Sequence, residues 1–401
     1  MKKDTPQKIA FIIPRYVESS AGGAEVACRH FAEKLKSQKG IPTEILTTCA
    51  EDNSTWKNTK DPGSVEKNGI LVRFFPVEER KNPGEYLSAV LKNDAKQKLT
   101  PIEEDFYFNN NVNSESLYRF IKEHGEEYAF FIFTPYLFGT TVNGAKIHPH
   151  KTLIRPCFHD ESYARMSSIK KMFQDVLGII CNSPMEKELI IQLGKVNDNK
   201  VFLAGEGVEA SKEIEDENIL SSLSITKPYI YYCGRRERGK NFDFLIELFR
   251  EYKRQNKNSL QFVTSGTHAI EIMPSEISDI IDVGFVSESL KSRLYKSALL
   301  TCQASTKESF SIATMESWLQ KRPVLVNKRS KVLDYWVRLS NGGFSFKTFY
   351  EFEELLNYSQ QNQKVLDKMG KAGYEFTVAN FKWEKIVDRF YKALIYFGYK
   401  G

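Results

Sequence analysis

The sequence lacks the cysteine patterns that hold metal ions or stabilise small secreted folds. Its six cysteines are scattered over 401 residues, with no close pair and no metal-ligand spacing. Most lie in apolar runs, which favours reduced, buried thiols in a cytoplasmic protein. The sequence therefore predicts neither a disulfide framework nor a metal site.

Long apolar runs are also missing. Residues 1–16 contain three lysines but only a five-residue apolar stretch, which Pro14 and Arg15 end. This stretch predicts a first strand, Ile9 to Ile13, and not a signal peptide. No window reaches the roughly 18 apolar residues of a membrane-spanning helix.

The excess of one charge sign over the other is small. The chain has 57 basic and 51 acidic residues, a net charge of +6. This excess suits small anionic ligands or an anionic membrane surface, but it is too weak to predict nucleic-acid binding, and no nucleic-acid motif is present. A peripheral contact with an anionic membrane would depend on one basic cluster, namely Lys151, Arg155, Arg165, Lys170 and Lys171.

What the chain does have is a series of short apolar runs separated by helical patterns, typical of α/β domains. Residues 51–67 are polar and predict a loop. Residues 211–227 are charged and predict an interdomain linker. Near the end, an apolar stripe at helical spacing predicts packing (Trp383, Ile386, Val387, Phe390 and Leu394). Strands are predicted at Thr43 to Thr48, Leu71 to Phe75, Ala129 to Thr134 (a buried one), Thr152 to Ile154 and Tyr229 to Cys233.

The most informative stretch is residues 298–327, which predict strand, loop, helix and strand. The helix should run from Ile312 to Gln320, with Ser309 or Ser311 as its N-cap. A helix N-terminus at the carboxyl end of a parallel strand can bind an anion. The stretch also carries Glu308 and Glu316, whose separation of eight residues is about 12 Å of helical rise. That is too far for a glycosidase acid/base pair but suits two ends of an elongated ligand, with two solvated glutamates as the alternative.

A second charged loop lies between a predicted strand and helix. Arg235, Arg236, Arg238 and Lys240 crowd it with one glutamate. Four cations at this spacing repel one another unless an anion joins them, and arginine suits phosphate. No Asp-x-Asp triplet suited to a metal-bound diphosphate is present.

Two weaker signals lie in the first half of the chain. Gly22 and Gly23 separate a strand from a helix and would let a ligand approach the backbone, although any tight turn could explain them. His159 and Asp160 follow a short strand, and they are either a surface pair or a functional one.

Several of these motifs together resemble glycosyltransferase family 4, a large retaining family with the GT-B fold. The central stretch resembles the family signature at Ser305, Glu308, Phe310, Glu316, Pro323 and Val324. The cationic loop resembles the Gly-Arg…Lys-Asn pattern at Gly234, Arg235, Lys240 and Asn241. The chain departs from the common form where glycine is frequent, at Ser309 and Ser311.

The resemblance implies two facing Rossmann-like domains with a cleft between them. Residues 1–210, with the returning helix 381–399, would form the acceptor domain, and residues 228–380 the donor domain. The implied reaction moves a hexosyl group from a nucleotide diphosphate sugar (UDP or GDP) to a glycan or lipid-linked acceptor hydroxyl. It would proceed with retention and without metal, in bacterial surface glycan or glycolipid synthesis. An idle sugar-nucleotide-binding partner subunit and a nucleotide-sugar epimerase on the same fold are the alternatives.

The resemblance also implies roles for particular residues. Arg235 and Lys240 would hold the diphosphate, Glu308 the sugar hydroxyls and Glu316 the ribose. His159 would contact the donor sugar, and Gly22 and Gly23 would lie near the acceptor. The remaining donor contacts would come from Ser309, Phe310, Ser311, Ile312, Gly266 and, beside the nucleobase, Val286.

Overall fold

A computed structural model describes residues 7–17, 22–211, 214–216, 218–268, 270–276 and 278–400, without the side chains of Arg238 and Pro274. The chain divides into two compact units. The first contains residues 1–207 and 383–401, and the second contains residues 208–382. The predicted linker, 211–227, therefore belongs to the second unit.

The first unit is built on an eight-stranded sheet. Its strands are β1 (Lys8–Ile12), β2 (Thr43–Thr48), β3 (Gly63–Lys67), β4 (Ile70–Phe75), β5 (Tyr128–Phe133), β6 (Thr152–Ile154), β7 (Gly178–Cys181) and β8 (Val201–Leu203). Their spatial order is β3-β4-β2-β1-β5-β6-β7-β8, and every pair is parallel except β3 with β4. The helices are α1 (Gly23–Lys39), α2 (Pro83–Asp94), α3 (Pro101–Asn109), α4 (Glu115–Glu123), α5 (Gly139–Gly144), α6 (Ser167–Asp175), α7 (Pro184–Gly194) and α15 (Trp383–Tyr396).

The second unit has a six-stranded parallel sheet. Its strands are β9 (Tyr229–Cys233), β10 (Gln261–Ser265), β11 (Ile280–Asp282), β12 (Leu300–Gln303), β13 (Val324–Asn327) and β14 (Gly343–Phe346), in the order β11-β10-β9-β12-β13-β14. The helices are α8 (Ile219–Ser222), α9 (Phe242–Gln255), α10 (Glu288–Ser297), α11 (Ile312–Leu319), α12 (Lys331–Ser340), α13 (Phe349–Gln361) and α14 (Gln363–Phe381). The described part of the chain contains no helix with the length and apolar character needed to cross a bilayer.

The apolar stripe predicted near the end of the chain packs α15 into the first unit. All five of its residues are buried. The ring centroids of Phe390 and Trp383 lie 4.5 and 5.1 Å from that of Phe31 on α1. Gly207 closes the same contact, because a Cβ there would lie 2.2 Å from Trp383 Cδ2.

One predicted loop is partly a strand. The polar run 51–67 ends in β3, which pairs antiparallel with β4 at the edge of the sheet. Four of the five residues of β3 are exposed. An exposed edge strand needs no apolar run, so its composition gives no strand signal.

Candidate functional site

Three loops meet at the carboxyl ends of β9, β10 and β11. The Gly234 N–H donates to the Ser265 carbonyl at 3.0 Å, and the Gly266 N–H donates to the Gly284 carbonyl at 2.9 Å. A Cβ at Gly266 would lie 1.8 Å from the Gly234 carbonyl oxygen, and Gly266 has a φ of +146°. Only glycine allows the two backbones to approach this closely.

The adjacent arginines of this loop have different environments. The Arg235 side chain is 49% exposed, and its Nη1 lies 3.2 Å from Glu237 Oε1. The Arg236 side chain is only 2% exposed and forms an ion pair with Asp282. Arg236 also donates to Thr264 Oγ1 at 3.2 Å and to the His268 carbonyl. Arg236 therefore ties β10 and β11 to the loop and is not available to a ligand.

This pairing corrects the interpretation of the loop as a cluster that needs an external anion. Asp282 already neutralises Arg236, and Glu237 lies beside Arg235. The side chain of Arg238 is outside the described part of the chain. Among the described side chains of this loop, Arg235 and Lys240 are the cations that remain candidates for holding an anion.

Lys240 and Glu308 form a direct ion pair. Lys240 Nζ lies 2.8 Å from Glu308 Oε1, and the two side chains are 30% and 9% exposed. The neighbouring Asn241 donates through Nδ2 to the Ala304 carbonyl at 3.1 Å. That bond ties the loop after β9 to the loop after β12, so the structure brings the two sequence motifs together.

Core contacts fix the loop that carries Glu308. Phe310 is 3% exposed, and its carbonyl accepts a 3.0 Å hydrogen bond from Trp336 Nε1. Its ring packs against Trp336 and Phe381. The Ser305 hydroxyl donates to the Lys307 carbonyl at 2.9 Å. The side chain of Phe310 therefore anchors the loop, which leaves only its backbone for ligand contact.

The start of α11 differs from the predicted cap. Ser311 occupies the N-cap position, but its side chain accepts no backbone N–H, and neither serine caps the helix. Its Oγ instead lies 3.0 Å from Thr314 Oγ1. Ser311 has a φ of +78°, a conformation that favours glycine. The first amides of α11, from Ile312 on, therefore have no side-chain acceptor from the cap.

Glu316 on α11 contacts two residues of α10. Its Oε1 lies 2.7 Å from Lys291 Nζ, and its Oε2 accepts a 3.1 Å hydrogen bond from the Tyr295 hydroxyl. Sequence reasoning did not identify Lys291 or Tyr295. Their spacing of four residues, which places them on one helix face, is the signal that could have indicated them. Val286 precedes α10 and packs, partly buried, against the hydrophobic cluster that contains Tyr295.

The predicted residues of the first unit follow two of its strands, β1 and β6. Gly22 is the N-cap of α1, and Gly23 is the first residue of that helix. A Cβ at Gly22 would lie 2.6 Å from Glu25 Oε2. His159 Nδ1 lies 3.4 Å from Glu161 Oε1, and Glu161 accepts a 2.5 Å hydrogen bond from the Tyr136 hydroxyl.

One member of the basic cluster predicted for membrane contact does not lie on the surface. Arg155 is 1% exposed and forms an ion pair with Glu206, also buried, and donates to Asn182 Oδ1 at 2.8 Å. Its placement in the surface cluster was wrong, because its side chain is buried together with Glu206. Of the other members, Arg165 lies 2.5 Å from Asp160 and Lys171 lies 2.9 Å from Asp175.

A buried carboxyl lies beside this arginine. Glu186 accepts hydrogen bonds from the N–H groups of Phe158 and Asn182, the latter at 2.5 Å. Burial raises the pKa of Glu186 to about 7, although Arg155 and the two N–H groups oppose the shift. Glu186 fixes the backbone one residue before His159. Among the described residues, no group of three or more His, Cys, Asp or Glu side chains could hold a metal ion.

Comparison with known proteins agrees with this geometry. Residues 215–376 match the family described as glycosyl transferases group 1, and this match lies within the second unit. No curated protein sequence matches the chain.

Solved structures resemble the chain over nearly all of its length. Sucrose-phosphate synthase from Thermosynechococcus elongatus is 15% identical, with a TM-score of 0.70 over 97% of this chain and 99% of that chain. Anabaena HepE, in a complex with UDP-glucose, is 14% identical, with a TM-score of 0.68 over 97% and 99%. A glycosyltransferase from Rickettsia africae is 14% identical, with a TM-score of 0.69 over 99% and 100%. The predicted α/β fold class is confirmed: the chain has the GT-B fold, and residues 215–376 of its second unit match the glycosyl transferases group 1 family.

Proposed function

We propose that the chain is a retaining glycosyltransferase that moves a hexosyl group from a nucleotide diphosphate sugar to an acceptor hydroxyl. The observation that carries this proposal is the Lys240–Glu308 ion pair, which joins the cationic loop after β9 to the acidic loop after β12. Both loops lie at the carboxyl ends of neighbouring parallel strands, where open α/β sheets bind ligands. HepE, a structural relative, binds UDP-glucose, so UDP-sugars are the first donors to test.

In this proposal the donor diphosphate is held without a divalent metal. Arg235 and Lys240 supply positive charge, and the N-terminus of α11 supplies backbone amides near Ile312. Glu308 accepts hydrogen bonds from the sugar hydroxyls after Lys240 turns to the phosphate. The remaining predicted contacts, from the backbone of Ser309 and Ser311, from Gly266 and from Val286, complete the donor site.

Transfer would take place on the face that the leaving phosphate occupies. The bond from the anomeric carbon to the phosphate oxygen breaks while a bond to the acceptor oxygen forms. The leaving phosphate oxygen takes the acceptor proton, and Arg235 and Lys240 stabilise its charge. His159 would stabilise the charged sugar, with Gly22 and Gly23 near the acceptor.

The free cysteines favour a particular cellular location for the protein. All six cysteines are free thiols, which suits a reducing compartment such as the cytoplasm. The acceptor would be a glycan or a lipid-linked sugar of the bacterial surface. Peripheral contact with an anionic membrane would rest on Lys151, Arg165, Lys170 and Lys171. Co-sedimentation with liposomes should then rise with the content of anionic lipid, and no such dependence would contradict the contact.

Turnover assays with purified protein test the proposal. We expect slow hydrolysis of one nucleotide diphosphate sugar in the presence of a chelator, and proton NMR of fresh transfer product should show the anomeric configuration of the donor. Loss of all turnover in chelator, restored by magnesium or manganese, would refute the metal-free site. Inversion at the anomeric carbon would refute the mechanism. Binding of the nucleotide sugar without turnover would instead favour an idle partner subunit.

A further inference from the structure

The carboxylate of Glu316 is held from both sides by one face of α10. Lys291 contacts Oε1 at 2.7 Å and Tyr295 contacts Oε2 at 3.1 Å. The Tyr295 side chain is buried, and the Lys291 side chain is 16% exposed. Each carboxylate oxygen therefore has one fixed donor, and the carboxylate plane cannot turn without breaking one of these contacts.

Lys291 is itself held between two acids. Its Nζ lies 2.8 Å from Glu288 Oε2 as well as 2.7 Å from Glu316 Oε1. Burial opposes its charge, but Glu316 and Glu288 outweigh burial and raise the pKa of Lys291. The Lys291 ammonium group therefore stays charged at every working pH and remains the positively charged partner of Glu316.

The contacts with Lys291 and Tyr295 leave two hydrogen-bond acceptor sites on the Glu316 carboxylate. An ionised carboxylate can accept about four hydrogen bonds, two at each oxygen. One site on each oxygen is taken, so one remains on each. Two adjacent hydroxyls of a ribose ring offer two neighbouring O–H donors, which match these two remaining sites.

We propose that Lys291 and Tyr295 are positioning residues that orient the Glu316 carboxylate for the two ribose hydroxyls of a nucleoside diphosphate. This proposal rests on the proposed function, since it needs a nucleotide at this site. It adds a selectivity. A ligand that lacks one hydroxyl leaves one oriented acceptor unsatisfied, so the site should prefer ribonucleotides to 2′-deoxyribonucleotides.

Calorimetry with matched nucleotides tests the orientation. UDP, GDP and their 2′-deoxy forms are titrated into the full chain and into four variants, Lys291→Met, Lys291→Arg, Tyr295→Phe and Glu288→Gln. We expect the wild type to bind one ribonucleotide about 10-fold or more tightly than its 2′-deoxy form, as for one hydrogen bond to a charged group. Lys291→Met should reduce this ratio to near one by weakening only the ribonucleotide.

The other variants separate orientation from general damage. Tyr295→Phe removes only a hydroxyl and should also lower the ratio. Lys291→Arg keeps the positive charge and should retain part of the affinity ratio that Lys291→Met loses. The Glu288 side chain is 68% exposed and its pair with Lys291 is screened by solvent, so Glu288→Gln should leave the ratio nearly unchanged. If Lys291→Met and Tyr295→Phe weaken the affinity for the ribonucleotide and for its 2′-deoxy form equally, the affinity ratio is unchanged. That result would overturn the positioning role alone. A wild type that binds no nucleoside diphosphate would overturn the proposed function as well.

Discussion

Lys240 Nζ and Glu308 Oε1 lie 2.8 Å apart, although 68 residues separate them in the chain. The pair holds two loops of the second unit together before any ligand arrives. Lys240→Met would leave Glu308, only 9% exposed, without its cation, and should lower the free energy of unfolding by about 1–3 kcal/mol. Urea unfolding of Lys240→Met, of Glu308→Gln and of the double variant measures the coupling free energy between the two side chains. The double variant should be more stable than Lys240→Met, and strict additivity would contradict the pair.

Substitution of the adjacent residues Arg235 and Arg236 should affect turnover and stability in opposite ways. Arg235 is half exposed and stands in the proposed phosphate site, so Arg235→Ala should lower turnover on the order of 100-fold with little loss of stability. Arg236 is buried against Asp282, so Arg236→Ala should lower the free energy of unfolding by about 3 kcal/mol. Turnover and urea unfolding of both variants provide the comparison. Unchanged kinetics for Arg235→Ala would remove that residue from the site.

The contact between Gly266 and Gly234 should not tolerate a methyl group. In Gly266→Ala the new Cβ would overlap the Gly234 carbonyl, so the loop after β9 must move and nucleotide binding should be lost. Gly63→Ala is a matched control, since Gly63 has a similar φ of +149° but open space around it. Both variants carry the cost of an unfavourable backbone angle. Equal nucleotide affinity in the two variants would show that the overlap is relieved elsewhere.

The buried carboxyl of Glu186 predicts a pH dependence of stability. Its pKa is raised from 4.5 to about 7 in the folded chain, so between these values the folded state binds a proton that the unfolded state has released. Stability from this group is full below pH 4.5 and is lost as the pH rises through 7. The loss should be about 3 kcal/mol.

Urea unfolding at pH 5 and pH 8 measures this effect by difference. Glu186→Gln lowers stability overall but removes the titrating group, so its unfolding free energy should fall less between the two pH values than that of the wild type. Other carboxyls contribute to both proteins and cancel in the comparison. Parallel pH profiles would mean that Glu186 is ionised throughout this range.

The sequence predicted those features that depend on neighbouring residues. The apolar run of β5, Tyr128–Phe133, and the strand–loop–helix pattern around Glu308 could both be found from the local sequence. The different roles of Arg235 and Arg236 could not, because they depend on Asp282, which lies 46 residues from Arg236. Arg155 was misplaced for the same reason: its partner Glu206 is 51 residues away. Charge in a sequence shows which groups must be neutralised, but only the fold decides which residue does so.

The position of α15 sets an order of events during synthesis. The first unit needs Trp383 and Phe390 against Phe31, yet these residues leave the ribosome only after the whole of the second unit has been made. The nascent first unit must therefore wait with the α1 face uncovered, whereas every helix and strand of the second unit has been made before α15. The later segment of the chain should thus reach its native state first. During that interval the uncovered aromatic face of α1 is the part of the nascent chain with most to gain from a chaperone.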